Sequence, residues 1–213
     1  EVRGSPIRRG LPVLVFTLLT TVTLRSDMVV LSVISSPDEL GVYAGASALS
    51  MAVLSVSGAF KSRAQAAAFR ADAPRAVSRE LLVLLGFSVP GAIAAALLSP
   101  WIVALLLGPG YESASGLIRV LAFASVALMF LDVTHGLLAV LGARQIMVLV
   151  ALVGAGTTVV SLVLLVQLHG AVGAAWASLL SYLVAAVFGL IVAFRALALE
   201  SKVGGVRDGV RVG

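Results

Sequence analysis

The sequence predicts an all-α integral membrane protein with six transmembrane helices. Three observations carry that expectation. The 213 residues are 60% hydrophobic and 12% charged, with a mean hydropathy of +1.12, whereas soluble domains carry about 25% charged residues. Aromatic residues supply only 6%, and the apolar content is mostly Ala, Val, Leu and Gly. That suits closely approaching helices better than a barrel of alternating strands. Six stretches reach the roughly 20 residues a helix needs to cross a bilayer.

These stretches are 11–34, 42–68, 79–107, 113–141, 145–167 and 172–197, with a lead-in at 1–10 and a tail at 198–213. Turn-forming sequences separate them: "SSPDELG", "RADAPRAVS", "GPGYES", "GARQ" and "HGAVG". Such short loops make consecutive helices antiparallel neighbours. The third stretch is too long to be one straight crossing. A helix over 79–107 would reach about 43 Å, against a hydrocarbon core of about 30 Å. Pro90 with Gly91 and then Pro100 supply a bend and a break. In the last stretch, Gly170, Ala174 and Ser178, and again Gly173, Ala177 and Ser181, form small-residue faces. They are expected to pack on the fifth stretch, where Gly154 and Thr158 share that spacing.

Basic residues alternate between loops, as the positive-inside rule requires. Arg3, Arg8 and Arg9 precede the first stretch, and Lys61, Arg63, Arg70, Arg75 and Arg79 surround the second loop. Arg144 lies in the fourth loop, and Arg195, Lys202, Arg207 and Arg211 follow the last stretch. Both termini are therefore expected to be cytoplasmic. The basic lead-in "PIRRG" is not read as a secretory signal, because the run after it is too long and lacks a small-residue cleavage site. The chain is expected to begin inside a longer protein. With no Cys, disulfides, thiolate metal sites and cysteine nucleophiles are excluded. The basic residues form no stripe with interleaved aromatics, so nucleic acid is not an expected partner. "GPGYES" and "GAGTT" complete no nucleotide-binding fingerprint, and no cofactor, metal or catalytic residue is expected.

Five ionisable groups lie inside the stretches: Arg25, Asp27, Arg119, Asp132 and His135. Intramembrane charges cost roughly 2.5 to 3.5 kcal/mol on insertion scales and usually face a bundle interior or a wet cavity. Arg25 and Asp27, in "TVTLRSDMVV", are about 200° apart around a helix and cannot share one narrow face. Arg25 is a permanent cation suited to an anionic substrate, pyrophosphate above all, or else to a structural acid. Asp132 and His135 are three residues apart on one face, fit for ion or proton coupling or for a structural hydrogen bond. Arg119 either snorkels to a surface or lines a cavity.

Two longer segments carry a resemblance. "SDMVVLSVISSPDELGVYAGASALS" at 26–50 and "LLLGPGYESASGLIRVLA" at 105–122 resemble the second lobe of polysaccharide and O-antigen flippases, in the multidrug/oligosaccharidyl-lipid/polysaccharide exporter superfamily. The likeness lies in an intrahelical Asp followed by an acidic Gly-x-Tyr loop, and in the Gly-x-x-Tyr loop before a lobe's fourth helix. "LHGAVGAAWASLLSYLV" is similar to the Gly-x-x-Gly-Ala-Ala opening of a lobe's last helix. "GAFKSRAQAAAFR" departs from the pattern, since many relatives have a proline there.

The resemblance implies one six-helix lobe of a two-lobe transporter in a bacterial cytoplasmic membrane. Its first lobe would be supplied by the same chain or by a partner subunit. Such a protein flips polyprenyl-pyrophosphate-linked oligosaccharide outward by alternating access. Arg25, Asp27 and Arg119 would contact substrate, and Asp132 and His135 would couple an ion or proton. The resemblance thus implies a transporter, and no enzymatic activity is expected. Two alternatives stand beside it: a cation-coupled drug or metabolite exporter of the same superfamily, and a non-transporting scaffold in a glycan-synthesis complex, in which Arg25 and Asp27 pair structurally.

Overall fold

The computed structural model describes the backbone of residues 6–52 and 54–210 and the side chains of 10–51 and 55–199. The basic residues Arg3, Arg8, Arg9, Lys202, Arg207 and Arg211 lie outside the described side chains. The chain is all-helical among the described residues: α1 (Pro6–Ile34), α2 (Pro37–Ala52), α3 (Leu54–Ala67), α4 (Ala73–Leu97), α5 (Ser99–Leu106), α6 (Ala114–Val140) and α7 (Arg144–Val210). Five helical segments are long and apolar enough to cross a membrane: Gly10–Ile34, Pro37–Ala67, Ala73–Leu97, Ala114–Val140 and Arg144–Leu199.

Helix boundaries follow capping chemistry more than hydropathy. α2 starts before the apolar run expected from residue 42, because Ser36 accepts a hydrogen bond from the Glu39 N–H at 3.2 Å. Pro37 follows that cap, with Asp38 and Glu39 in the first turn. α4 begins at Ala73, just after Asp72, whose side chain makes no capping hydrogen bond, and with Pro74 near its start. Pro90 lies within α4. Pro100 has no N–H to donate and its ring crowds the preceding turn, and the helix stops at Leu97 and restarts at Ser99. α6 ends in a Schellman motif. The Gly142 N–H donates to Ala139 O at 3.2 Å and the Ala143 N–H to Leu138 O at 3.0 Å, with Gly142 at φ +67°.

α7 does not run straight. Gly170 has φ +54° and ψ −134°, outside helical geometry, and the two arms fold back on each other. Ser161 Oγ reaches Ala177 O at 3.4 Å, and a Cβ built on Gly154 would lie 3.3 Å from that of Ala185. One on Gly189 would lie 3.1 Å from Val150. The two numbers in each pair have nearly the same sum, the signature of an antiparallel hairpin turning beside Gly170. The small-residue face expected there is buried: Ala174, Ala177, Ser178 and Ser181 have almost no exposed surface.

α6 is the central helix. In its most apolar window 61% of residues are buried, against 11% in α1. The α2–α3 segment runs parallel to α6, because its contacts keep a nearly constant offset. Ser125 Oγ donates to Ser50 O and Ser57 Oγ to Asp132, both 75 residues apart. Lys61 and Gln65 donate to Asp132 and to Gly136 O, both 71 apart. The turn at 35–36, the loop at 107–113 and Gly170 therefore share one end of the bundle. The loops at 68–72 and 141–143 share the other. The turns at the first end carry Asp38, Glu39 and Glu112 and, among the described residues, no Lys or Arg, whereas Arg70, Arg75, Arg79 and Arg144 lie at or near the second.

Candidate functional site

α1 presents two different faces, as the angle between Arg25 and Asp27 requires. Asp27 points into the bundle and is 4% exposed. Its Oδ2 accepts the Tyr43 hydroxyl at 2.6 Å, and its Oδ1 accepts the Met28 N–H at 2.8 Å. Ser47, Ser50, Ser125, Ser178 and Tyr182 join Asp27 around a cavity of about 20 Å³, the size of one water molecule. Arg25 is exposed and makes no ion pair among the described residues. Thr17, Thr21 and Ser32 are exposed on the same side of α1. Their hydroxyls bond back to carbonyls of their own helix at 2.7–2.9 Å, which satisfies them without a neighbouring helix. The guanidinium lacks that option.

A second site lies where α1, α3, α6 and the α7 hairpin meet. A cavity of about 210 Å³ is lined by Thr20, Thr23, Ser57, Asp132 and His135 among apolar residues that include Leu128, Leu131 and Val150. Asp132 is held from α3: Lys61 Nζ donates to Oδ1 at 2.9 Å and Ser57 Oγ to Oδ2 at 2.9 Å. His135 stands edge-on to Phe16, ring centres 4.9 Å apart. Its Nε2 and the Thr20 hydroxyl are buried without a hydrogen-bond partner. Buried polar atoms are seldom left so, and both belong to residues lining this cavity. Among the described residues no three His, Asp or Glu side chains gather as metal ligands would.

The five sequence-derived residues thus separate into three places. Asp132 and His135 share the larger cavity. Asp27 belongs to the Tyr43 network, and Arg25 to the open face of α1. Arg119 is exposed, and its Nε donates to Ser99 Oγ at 3.2 Å at the start of α5. It lines neither cavity.

Three contributors escaped the sequence reading. Lys61 is counted there as a loop charge, although Ser57, Lys61 and Gln65 at four-residue spacing mark one polar face of α3. Tyr43 figures there only within a motif. Glu39 figures only within a loop, although Ser36-Pro-Asp-Glu39 has the form of a capping box. Instead of reaching back to its own helix, the Glu39 carboxylate accepts the Ala171 N–H at 2.8 Å. That contact ties the start of α2 to the turn of the α7 hairpin. In the 107–113 loop, the exposed Glu112 carboxylate is held below the usual range by its own backbone N–H and that of Gly110. Compared with protein-family models, curated proteins and solved structures, the chain finds no match.

Proposed function

We propose that this chain is one lobe of a transporter that flips polyprenyl-pyrophosphate-linked oligosaccharide across a bacterial cytoplasmic membrane. The carrying observation is the Arg25 guanidinium, exposed partway along the least buried apolar helix, beside Thr17 and Thr21. A cation there is costly against lipid and useful against a pyrophosphate, which guanidinium grips through paired hydrogen bonds. The Asp27 carboxylate accepts from Tyr43 and Met28, which speaks against the scaffold reading, where Arg25 and Asp27 pair.

In this reading each arm of α7 is a separate crossing, giving six, and the Arg-rich end faces the cytoplasm. A second lobe, from the same chain or a partner, forms the opposite wall of a cleft that opens alternately to each side. The open face of α1 lines that cleft, with Arg119 near its other end. Coupling to an ion or proton belongs to the cavity of Asp132 and His135.

The test is translocation of a fluorescent polyprenyl-pyrophosphate glycan by the full-length protein in liposomes. Arg25→Ala is expected to lower the rate at least about tenfold, the loss of one charge-assisted contact worth about 1.5–3 kcal/mol, with thermal unfolding unchanged. Arg25→Lys should keep part of the activity. Wild-type rates in a well-folded Arg25→Ala protein would overturn the assignment.

A further inference from the structure

We infer that Lys61 is a tethered counter-cation for Asp132, filling the place an exchangeable metal cation would take, so that the larger cavity does not bind sodium at this carboxylate. The inference rests on the transporter reading only in calling this a coupling site. Its physical basis is separate.

A carboxylate serves an exchangeable cation when its oxygens are open to that cation and other oxygen donors converge beside it. At Asp132 the first condition fails, although the Thr20, Thr23 and Ser57 hydroxyls line the same cavity. Its Oδ1 takes the Lys61 ammonium and its Oδ2 the Ser57 hydroxyl, each at 2.9 Å. The ammonium is also held in place by its own stem. Lys61 crosses α6 at Gly136, so closely that a Cβ there would fall 2.5 Å from Lys61 Cγ and 2.7 Å from Cδ. One turn further along α3, Gln65 Nε2 donates to Gly136 O at 3.1 Å. Ser57, Lys61 and Gln65 on α3 thus engage Asp132 and Gly136 on α6 in matching four-residue steps, which fixes the register of the two parallel helices.

Among the described residues, the other elements around the cavity offer no competing charge. α1 contributes Thr20 and Thr23, and α7 contributes Val150, Ala151 and Gly154. The titratable and charged groups at the site are Asp132, Lys61 and His135, so a unit negative charge on Asp132 is matched within the chain. What is left unpartnered in the cavity is the His135 Nε2 and the Thr20 hydroxyl, which bring no second carboxylate to hold sodium in competition with the Lys61 ammonium.

The experiment is sodium binding by the purified full-length protein without substrate, read by radioactive sodium and by thermal unfolding, with choline chloride keeping ionic strength constant. Wild type is expected to match the Lys61→Gln/Asp132→Asn double variant, which removes both charges together and leaves neither without its partner. Neither should bind sodium saturably. Lys61→Gln strands the carboxylate and is expected to acquire sodium binding, with unfolding raised by about 3 °C or more at about 100 mM sodium. Lys61→Arg should remain indifferent to sodium. Saturable sodium binding by wild type that the double variant lacks would overturn the inference. So would a folded Lys61→Gln protein that stays indifferent to sodium. Because no substrate enters the measurement, either result leaves the Arg25 translocation test independent.

Discussion

Asp27 and Arg25 are separated by one residue, yet they meet opposite environments. The helical repeat alone turns them apart, and that divergence is legible in the sequence. The identity of the buried one is not, because it depends on which face α6, α2 and α7 cover. Once Asp27 is inside, its lone pairs must be met, and Tyr43 meets one of them from a helix whose start is fixed by the Ser36 cap. Tyr43→Phe is therefore expected to destabilise the fold by about 1–2 kcal/mol, since hydrogen bonds between membrane helices are at most about that strong. Thermal unfolding in detergent reads it. No change in unfolding would mean that Asp27 finds an equivalent donor among the serines around it.

At the scale of elements, the decisive feature is the turn at Gly170. Its combination of φ +54° and ψ −134° is one that residues with a Cβ avoid. A Cβ there would also lie 2.6 Å from Glu39 Oε1. Gly170→Ala should cost about 2–3 kcal/mol, and more than Glu39→Gln, which keeps the backbone and can still accept the Ala171 N–H through its amide oxygen. The ordering of the two unfolding temperatures is the measurement. If Glu39→Gln proves the worse, the carboxylate and not the backbone conformation holds the hairpin turn. The small-residue spacing on either side of Gly170 foretells that two helices approach closely. The tie from Glu39 is not foretold, because Glu39 and Ala171 are 132 residues apart and no local pattern connects them.

Over the whole molecule, charge and topology agree. The nearly constant offsets between α3 and α6 place Asp38, Glu39 and the 107–113 loop at one end, and Arg70, Arg75, Arg79 and Arg144 at the other. This chain contains no Cys, so single cysteines report their side without background from it. Cysteines replacing Asp38 and Glu112 are expected to react alike with a membrane-impermeant maleimide in intact cells, and one replacing Arg75 in the opposite sense. Labelling of Asp38→Cys and Arg75→Cys from the same side would contradict the arrangement.

The sequence by itself determined the all-helical membrane character, the turn positions, the alternation of basic loops and the opposed faces of α1. Each follows from hydropathy, local backbone preference or the 3.6-residue repeat, which act over a few residues at a time. Only the tertiary structure decided which side chains answer the intramembrane charges. Arg25 lies open, Asp27 belongs to Tyr43, Arg119 to Ser99, and Asp132 to Lys61 and Ser57. The reason is that a charge in a membrane accepts any partner of suitable chemistry within reach, and reach between helices is set by packing register, which no local stretch of sequence encodes.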